Sequence, residues 1–558
     1  MSDQQRTIVI VGGVAGGASA AARARRCNEQ ARIILYERDE HVSFANCGLP
    51  YYIGGEITDR SKLLVATPEK FRTWFNIEVN TRCEVVEIDP KAKTVEVVDH
   101  NTEMSFQQSY DRLILAPGAE PIVPKIDGIN APNVLSLRNL RDTDRIKALV
   151  SQEGVNKAVV VGAGFIGLEM VEMLRRLDKQ VALVELQPQV LPALDREMAH
   201  LVESELDAHG VALHLGTGLE SITTDDDGRA TAAVLSDGTT LDADLMIIGI
   251  GVRPNTRLAQ SIGLDLGKTG GIAVNEHMQT TDPAIYAVGD AAEYHHAVAD
   301  LNMRIPLAGP ANRAGRVAGE HAATDAGPAM PPVLGTAIVR AFGITAAVTG
   351  CNGRCIDSLS CSTRSVWAPA SSHASYYPGA ESMMMKLTYD EATGRAIGAQ
   401  IVGRDGVDKR IDVLATAIRF GATVDDLTTL DLAYAPPFGS AKDPVHMLGF
   451  IAQNDRRDLD HLVAPDAARE ENVQLVDVRT DEEYDAGHLD GAIHIPLVKL
   501  RERLGELDPA RPVITYCKGG QRSYYATRIL RQSGFDNVNT LAGGWSMQQH
   551  VPKPAAQA

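Results

Sequence analysis

Cysteine is scarce in this chain, with seven residues in 558. So few, so widely scattered, exclude a disulfide-built scaffold; each thiol is judged by its surroundings, and a reducing compartment is the natural home. No apolar run approaches the roughly 20 residues that cross a bilayer. Basic residues are outnumbered, 54 Lys and Arg against 72 Asp and Glu, for a formal charge of −18 at pH 7. That balance opposes nucleic acid and anionic membranes, so an anionic ligand needs a local basic pocket of its own. A targeting leader is not expected either, because Thr7-Ile8-Val9-Ile10-Val11 already reads as a strand; the expectation is a cytoplasmic protein.

At this length three or four compact units are expected, each with its own core. Two segments repeat one design: an apolar β run, a glycine-rich turn, a small-residue helix, and a second β run ending in an acid. The first covers Thr7 to Glu37 and the second Ala158 to Glu185. In the first, Gly12, Gly16 and Gly17 stand where missing side chains let backbone approach a pyrophosphate at a helix N-terminus, with Val14 at the usual second glycine. Glu37 is the predicted ribose ligand. The second, Gly162-Ala163-Gly164-Phe165-Ile166-Gly167, matches the full dinucleotide fingerprint and is followed by Glu185. A carboxylate there accepts from a free 2′-hydroxyl and repels a 2′-phosphate, which favours NADH over NADPH.

Two Rossmann-like units in one chain suggest FAD in one and NADH in the other. Gly118 closes the strand Leu113 to Ala116, Gly251 follows the apolar run Leu245 to Gly249, and Asp290 ends Ile285-Tyr286-Ala287-Val288-Gly289. All three are assigned to cofactor binding, Asp290 to the ribityl chain of the flavin. The predicted domains are 1–120 with 245–325 for FAD, 150–244 for NADH, an α+β dimerisation domain over 326–450, a polar linker over 451–470, and a small α/β domain over 471–558.

The redox centre is read at Ser43-Phe44-Ala45-Asn46-Cys47-Gly48-Leu49-Pro50-Tyr51-Tyr52. This stretch, with Val11-Gly12-Gly13-Val14-Ala15-Gly16-Gly17, resembles the coenzyme A disulfide reductases among the pyridine nucleotide disulfide oxidoreductases, over about residues 5 to 450. Val14 is a feature of that family. Positions 50 and 52 are Pro50 and Tyr52, so no internal dithiol is available to Cys47. The resemblance implies that Cys47 pairs with coenzyme A in a mixed disulfide that flavin electrons break. It also implies Arg23, Arg26, Ser43 and Asn46 as coenzyme A contacts, and Tyr376 and Tyr434 as catalytic tyrosines reaching the substrate from the partner of a homodimer. Against those roles, the arginines read equally as a solvated helix face and the tyrosines as a dimer seam.

The C-terminal signature is Val513-Ile514-Thr515-Tyr516-Cys517, then Lys518-Gly519-Gly520-Gln521-Arg522-Ser523 before a helical run. Such a loop aims backbone amides at one centre and, with Arg522, stabilises a persulfide anion on Cys517. It resembles the rhodanese family, as do Asp477-Val478-Arg479, Gly487-His488-Leu489 and Gly543-Gly544-Trp545. A phosphatase-like use of the loop stays open. Cys351, Cys355 and Cys361 lack zinc spacing and read as packing or surface thiols; no metal is expected.

The whole chain therefore resembles fusions of a coenzyme A disulfide reductase body with a rhodanese domain, which implies reduction of coenzyme A disulfide, coenzyme A persulfide or polysulfide. Two other readings remain: an NADH oxidase or peroxidase that cycles Cys47 through sulfenic acid, and a sulfur carrier or redox sensor without turnover.

Overall fold

The computed structural model describes residues 5–469 and 472–550, so the last residue of the expected linker and the end of the tail lie outside the described residues. The chain divides into two compact units, 1–186 with 214–335 and 187–213 with 336–558.

In the first unit, five parallel strands stand in the order Ile285–Ala287, Arg112–Leu115, Thr7–Val11, Arg32–Glu37 and Glu78–Thr81. Ile8, Ile10, Ile34 and Leu113 are fully buried, as strands covered on both faces require. The helix Ala15–Cys27 is built of small residues because another helix, Ala308–Thr324, lies against it. A Cβ on Gly315 would stand 2.2 Å from the Gly16 carbonyl oxygen, and one on Gly319 2.2 Å from that of Ala20. A second parallel sheet includes Gln180–Glu185, Lys157–Val161, Leu245–Ile248 and Val134–Leu135 in that order. Both glycine turns thus leave the carboxyl edge of a central strand, where open α/β sheets bind ligands.

In the second unit an antiparallel sheet runs Ala337–Ala341, Ile344–Gly350, Ala396–Gly403, Ser382–Asp390, Thr363–Ser371. The segment 187–213 belongs here although the sequence pattern continues it from the second dinucleotide unit. Lys386 Nζ pairs with Asp195 at 2.5 Å and Glu197 at 2.6 Å, and Arg404 pairs with Glu205 at 2.9 Å.

The C-terminal sheet is parallel, ordered Leu462–Val463, Val538–Leu541, Val513–Tyr516, Gln474–Asp477, Ile493–His494. Its edge strand lies inside the stretch expected to be a linker. That stretch begins as the end of the helix Pro444–Arg456. Two of its acids, Asp455 and Asp460, are buried, and Asp455 accepts from Arg364 at 2.6 and 2.7 Å and from Tyr389, and lies 2.6 Å from His461. Charge content alone does not distinguish these two acids from exposed Asp458. Among the described residues no helix is long and apolar enough to cross a membrane.

Candidate active site

The two glycine turns are built alike. Gly12 and Gly162 sit at φ +93° and +105°, and a Cβ on either would strike the carbonyl oxygen of Ala116 or Gly249 at 2.2 or 2.4 Å. On Gly17 or Gly167 it would come within 1.9 Å of the Gly12 or Gly162 carbonyl oxygen. The packing of the turn itself already requires these four glycines. Gly16 is likewise crowded, 2.9 Å from the Val288 side chain.

Gly164 differs, for a Cβ there meets nothing within 4 Å. Its counterpart in the first turn is Val14, and the open space accounts for a side chain being tolerated at that position. Neither Val14 nor Gly164 places a side-chain cap on the helix that follows, so the first amides of Ala15–Cys27 and Phe165–Arg176 are left for an anionic ligand. The acids ending the second strands close both turns. Glu37 accepts from Gly13 N at 2.8 Å and Asp39 N at 3.0 Å, and Glu185 accepts from Ala163 N at 2.7 Å. Burial pushes the Glu37 carboxyl up, opposed by the two amides. A carboxylate oxygen with one amide donor keeps lone-pair capacity for a ribose hydroxyl.

A cleft of 590 Å3 opens in front of the first turn, lined among others by Gly12, Val14, Glu37, Asn46, Gly118 and Arg138. Gly118 takes φ +67° and Gly251 φ +117°, conformations that favour glycine. Asp290 lies in the short turn Gly289–Ala291 and pairs with Arg138 at 3.2 Å. Cleft volume, uncapped amides and the buried acid fit a dinucleotide flavin. Arg138 escaped the sequence reading because it stands in an irregular segment with no motif around it.

Cys47 occupies the turn Asn46–Gly48, directly before the helix Leu49–Ile53. Ser43, at φ +47°, ties this loop to the first glycine turn by donating N–H to the Gly13 carbonyl oxygen at 2.8 Å, and its own carbonyl accepts from Val65 and Ala66. The Asn46 side chain reaches the Arg138 carbonyl oxygen at 3.4 Å. Cys47 is a free, exposed thiol. The protein packed around it nevertheless desolvates its thiolate and pushes the thiol pKa up, and the carboxylates of Glu169 and Asp290 add to the rise. Glu169, held by Tyr51 Oη at 3.0 Å, is a neighbour that the sequence reading missed. Its only signal was its place two residues beyond the second fingerprint.

The other predicted contacts are mixed. Arg23 is bound to Glu320 at 2.5 Å, and Arg26 is exposed, donating to the Ala22 carbonyl of its own helix. Tyr376 and Tyr434, both exposed, meet hydroxyl to hydroxyl at 3.0 Å. Cys351 and Cys355 form a disulfide, which corrects the expectation of separate thiols; Cys361 is free and exposed. Among the described residues no cluster of His, Cys, Asp and Glu is placed to hold a metal.

Cys517 is built differently. Its sulfur is buried and receives the Gly520 N–H at 3.1 Å, with the Ser523 hydroxyl at 3.6 Å. Gly520, at φ +126°, turns the chain into the uncapped N-terminus of Gln521–Gln532. The Cys517 carbonyl is held by Trp545 N at 2.8 Å, an approach that a Cβ on Gly544 would block at 2.3 Å. Arg522 is clamped by both oxygens of Glu483, at 2.5 and 2.8 Å. That pairing holds the Glu483 carboxyl down at about 2.

Comparison with known proteins agrees with these two frames. Residues 6–315 match the pyridine nucleotide-disulphide oxidoreductase family, residues 339–444 its dimerisation domain, and residues 464–548 the rhodanese-like domain. The chain belongs to the pyridine nucleotide-disulphide oxidoreductases. A coenzyme A disulfide reductase of Staphylococcus aureus (strain JH9) is 36% identical over 446 residues, covering 80% of this chain and 99% of the relative. Reduced Bacillus anthracis CoADR-RHD superposes with a TM-score of 0.93 at 44% identity, covering 98% of both chains. A NAD-dependent persulfide reductase from A. fulgidus gives 0.92 at 39%, covering 97% of this chain and 99% of that one. This member of the family is thus an oxidoreductase that carries a rhodanese-like domain.

Proposed function

We propose that this protein is a cytoplasmic, homodimeric flavoenzyme that uses NADH to reduce coenzyme A disulfide or coenzyme A persulfide through Cys47, and that Cys517 handles sulfane sulfur for it. The observation that carries the reading is the solitary, exposed Cys47 beside the cleft, on a chain that also holds an amide-backed cysteine in a rhodanese-like loop. FAD is assigned to 1–120 and 245–325, with Gly12, Val14, Gly16, Gly17, Glu37, Gly118 and Asp290 about it. NADH is assigned to 150–244 with Gly162, Gly164, Phe165, Ile166, Gly167, Glu185 and Gly251. When bound, the flavin passes the electron pair of NADH to a sulfur partner.

For a persulfide the balance is coenzyme A–S–SH plus NADH giving coenzyme A–SH, HS⁻ and NAD⁺: the S–S bond breaks, and the hydride supplies both the electron pair and a proton equivalent. Cys47 accepts the coenzyme A sulfur as a mixed disulfide, with Ser43 and Asn46 fixing its turn and Arg26 free to meet a phosphate. Because its surroundings disfavour a thiolate, Cys47 is suited to rest as a disulfide rather than as a bare anion. In this reading Tyr376 and Tyr434 donate to the departing thiolate across the homodimer, in the partner's site. Cys517 takes sulfane sulfur as a persulfide facing the Gly520 amide and Arg522.

The test compares coenzyme A disulfide, coenzyme A persulfide, polysulfide and peroxide as acceptors in steady state with NADH and with NADPH, alongside the mass of the Cys47 peptide. The reading expects a coenzyme A adduct on Cys47, sulfur acceptors far ahead of peroxide, and NADH ahead of NADPH. Sulfenic acid on Cys47 with peroxide as the best acceptor overturns it in favour of a peroxidase.

A further inference from the structure

Behind the Cys517 loop the apolar core of the C-terminal sheet is interrupted by a single file of hydroxyls. Thr515 and Thr540 face each other on neighbouring parallel strands, and Thr527 enters between them from the helix Gln521–Gln532. Thr515 Oγ1 and Thr527 Oγ1 are 2.9 Å apart, Thr527 Oγ1 and Thr540 Oγ1 3.0 Å, and all three residues are buried. One end of the file is Asp460, 3% exposed, which accepts from Thr540 at 2.8 Å. At the other end Thr515 Oγ1 reaches the Ser523 carbonyl oxygen at 3.2 Å. Ser523 is the residue whose hydroxyl stands beside the Cys517 sulfur and donates to the Gly520 carbonyl oxygen at 2.7 Å.

We propose that Asp460 is a positioning residue for Cys517, acting along the Thr540–Thr527–Thr515 hydroxyl file on the turn that holds the sulfur, with its charge setting the sense in which the file's protons point. Each threonine hydroxyl has one proton to donate, so a closed file can run in only two senses. With Asp460 ionised, Thr540 must donate to it; Thr527 then donates to Thr540 and Thr515 to Thr527, and the Ser523 carbonyl keeps its helical N–H but loses its side-chain donor. With Asp460 protonated the file reverses and ends on that carbonyl. The reversal matters to Cys517 because the Ser523 carbonyl belongs to the same peptide unit as Tyr524 N–H, which donates to the Gly520 carbonyl oxygen at 2.9 Å. Chained hydrogen bonds polarise one another. The Gly520 carbonyl also accepts the Ser523 hydroxyl, the group 3.6 Å from the Cys517 sulfur, so the sense of the file reaches the sulfur's neighbour through that shared acceptor.

Asp460 is suited to this task. Burial pushes its carboxyl up to about 7, opposed by the Thr540 hydrogen bond and by the charges of Arg531 and His461, and aided by Asp455. Those neighbours are themselves engaged. Arg531 donates to Asp458 at 3.0 Å, and His461 lies between Asp455 and Asp458, with Arg364 paired to Asp455 and 2.9 Å from the His461 ring. His461 is held by both of those aspartates. It has no place in the hydroxyl file, so cutting the file separates the two.

The inference rests on Cys517 being the sulfur-carrying thiol, but its test does not. The full-length holoenzyme is alkylated with iodoacetamide from pH 5.5 to 9, and the rate is read on the Cys517 peptide by mass spectrometry. Wild type is expected to follow two ionisations, one of them near pH 7 and altering the rate about fivefold, the weight of one net hydrogen bond. Asp460→Asn, which cannot ionise, and Thr527→Val, which keeps the shape and cuts the file, are each expected to follow one. Thr527→Ser is expected to restore the second. A wild-type profile with a single ionisation, or Asp460→Asn and Thr527→Val profiles that superimpose on wild type, overturns the proposal even if every variant transfers sulfur. Loss of thiosulfate sulfurtransfer in Cys517→Ser tests the underlying reading separately.

Discussion

Cys47 and Cys517 are two answers to the problem of holding a reactive sulfur. Cys47 is exposed, and beyond desolvation the charges that act on it are the carboxylates Glu169 and Asp290, which oppose a thiolate. Cys517 is buried, yet its sulfur has the Gly520 amide at 3.1 Å and Arg522 nearby. The difference teaches that exposure and reactivity are separate properties. A sulfur that exchanges with a bound partner needs access, whereas one that carries an anionic sulfur needs donors fixed in advance.

The sharpest break of the comparison is Cys47→Ser. Electrons from a flavin in the first unit have no other sulfur on that turn, so reduction of every sulfur acceptor is expected to fall by at least about a thousandfold. Bleaching of the flavin by NADH in stopped flow should persist. Residual turnover above a hundredth of wild type would mean that another thiol receives the electrons. Cys517→Ser comes next. Thiosulfate sulfurtransfer should vanish and persulfide turnover fall about tenfold, while coenzyme A disulfide reduction is unchanged. Equal loss on all three acceptors would show that the two sulfurs do not divide the work.

Arg522→Lys is a smaller perturbation. A lysine cannot make the two parallel bonds that Glu483 now receives, so kcat/KM for thiosulfate should drop roughly threefold to tenfold while folding is preserved. Because Glu483 is held at about 2, below its ordinary carboxylate value, the clamp is fully formed above about pH 4.5 and is lost only as pH falls toward 2. The Arg522→Lys deficit should therefore be constant across pH 5 to 9, and a deficit that grows toward neutral pH would point to a different partner.

Much of this was legible in the residues. Both glycine turns, the acids Glu37 and Glu185, the family resemblance at Cys47 and the rhodanese-like loop are local patterns, where neighbours in sequence are neighbours in space. What escaped depends on distant segments. Arg138 meets Asp290 across 152 positions and Asp460 meets Thr540 across 80. The carbonyl facing Gly12 likewise comes from Ala116, about a hundred residues on, which no local pattern shows. Polar composition suggested a linker over 451–470 because pattern cannot distinguish an exposed acid such as Asp458 from buried Asp455 and Asp460.

The last test concerns the charge around Cys47. Glu169 reaches Tyr51 Oη through one oxygen, and its negative charge raises the Cys47 thiol pKa on top of the larger effect of desolvation. Glu169→Gln keeps the shape and a hydrogen-bonding oxygen for Tyr51 while removing the charge. The thiolate is then less disfavoured, so the Cys47 thiol pKa should move down, though not to the value of an open thiol, because the packing that desolvates it is untouched. In reduced holoenzyme, the alkylation rate of the Cys47 peptide against pH should shift toward lower pH in Glu169→Gln. The Cys517 peptide of the same sample should titrate as in wild type, since backbone amides and not Glu169 surround that sulfur. A Cys47 curve that stays in place would mean that desolvation alone sets this thiol, and a curve that moves upward would reverse the electrostatic assignment.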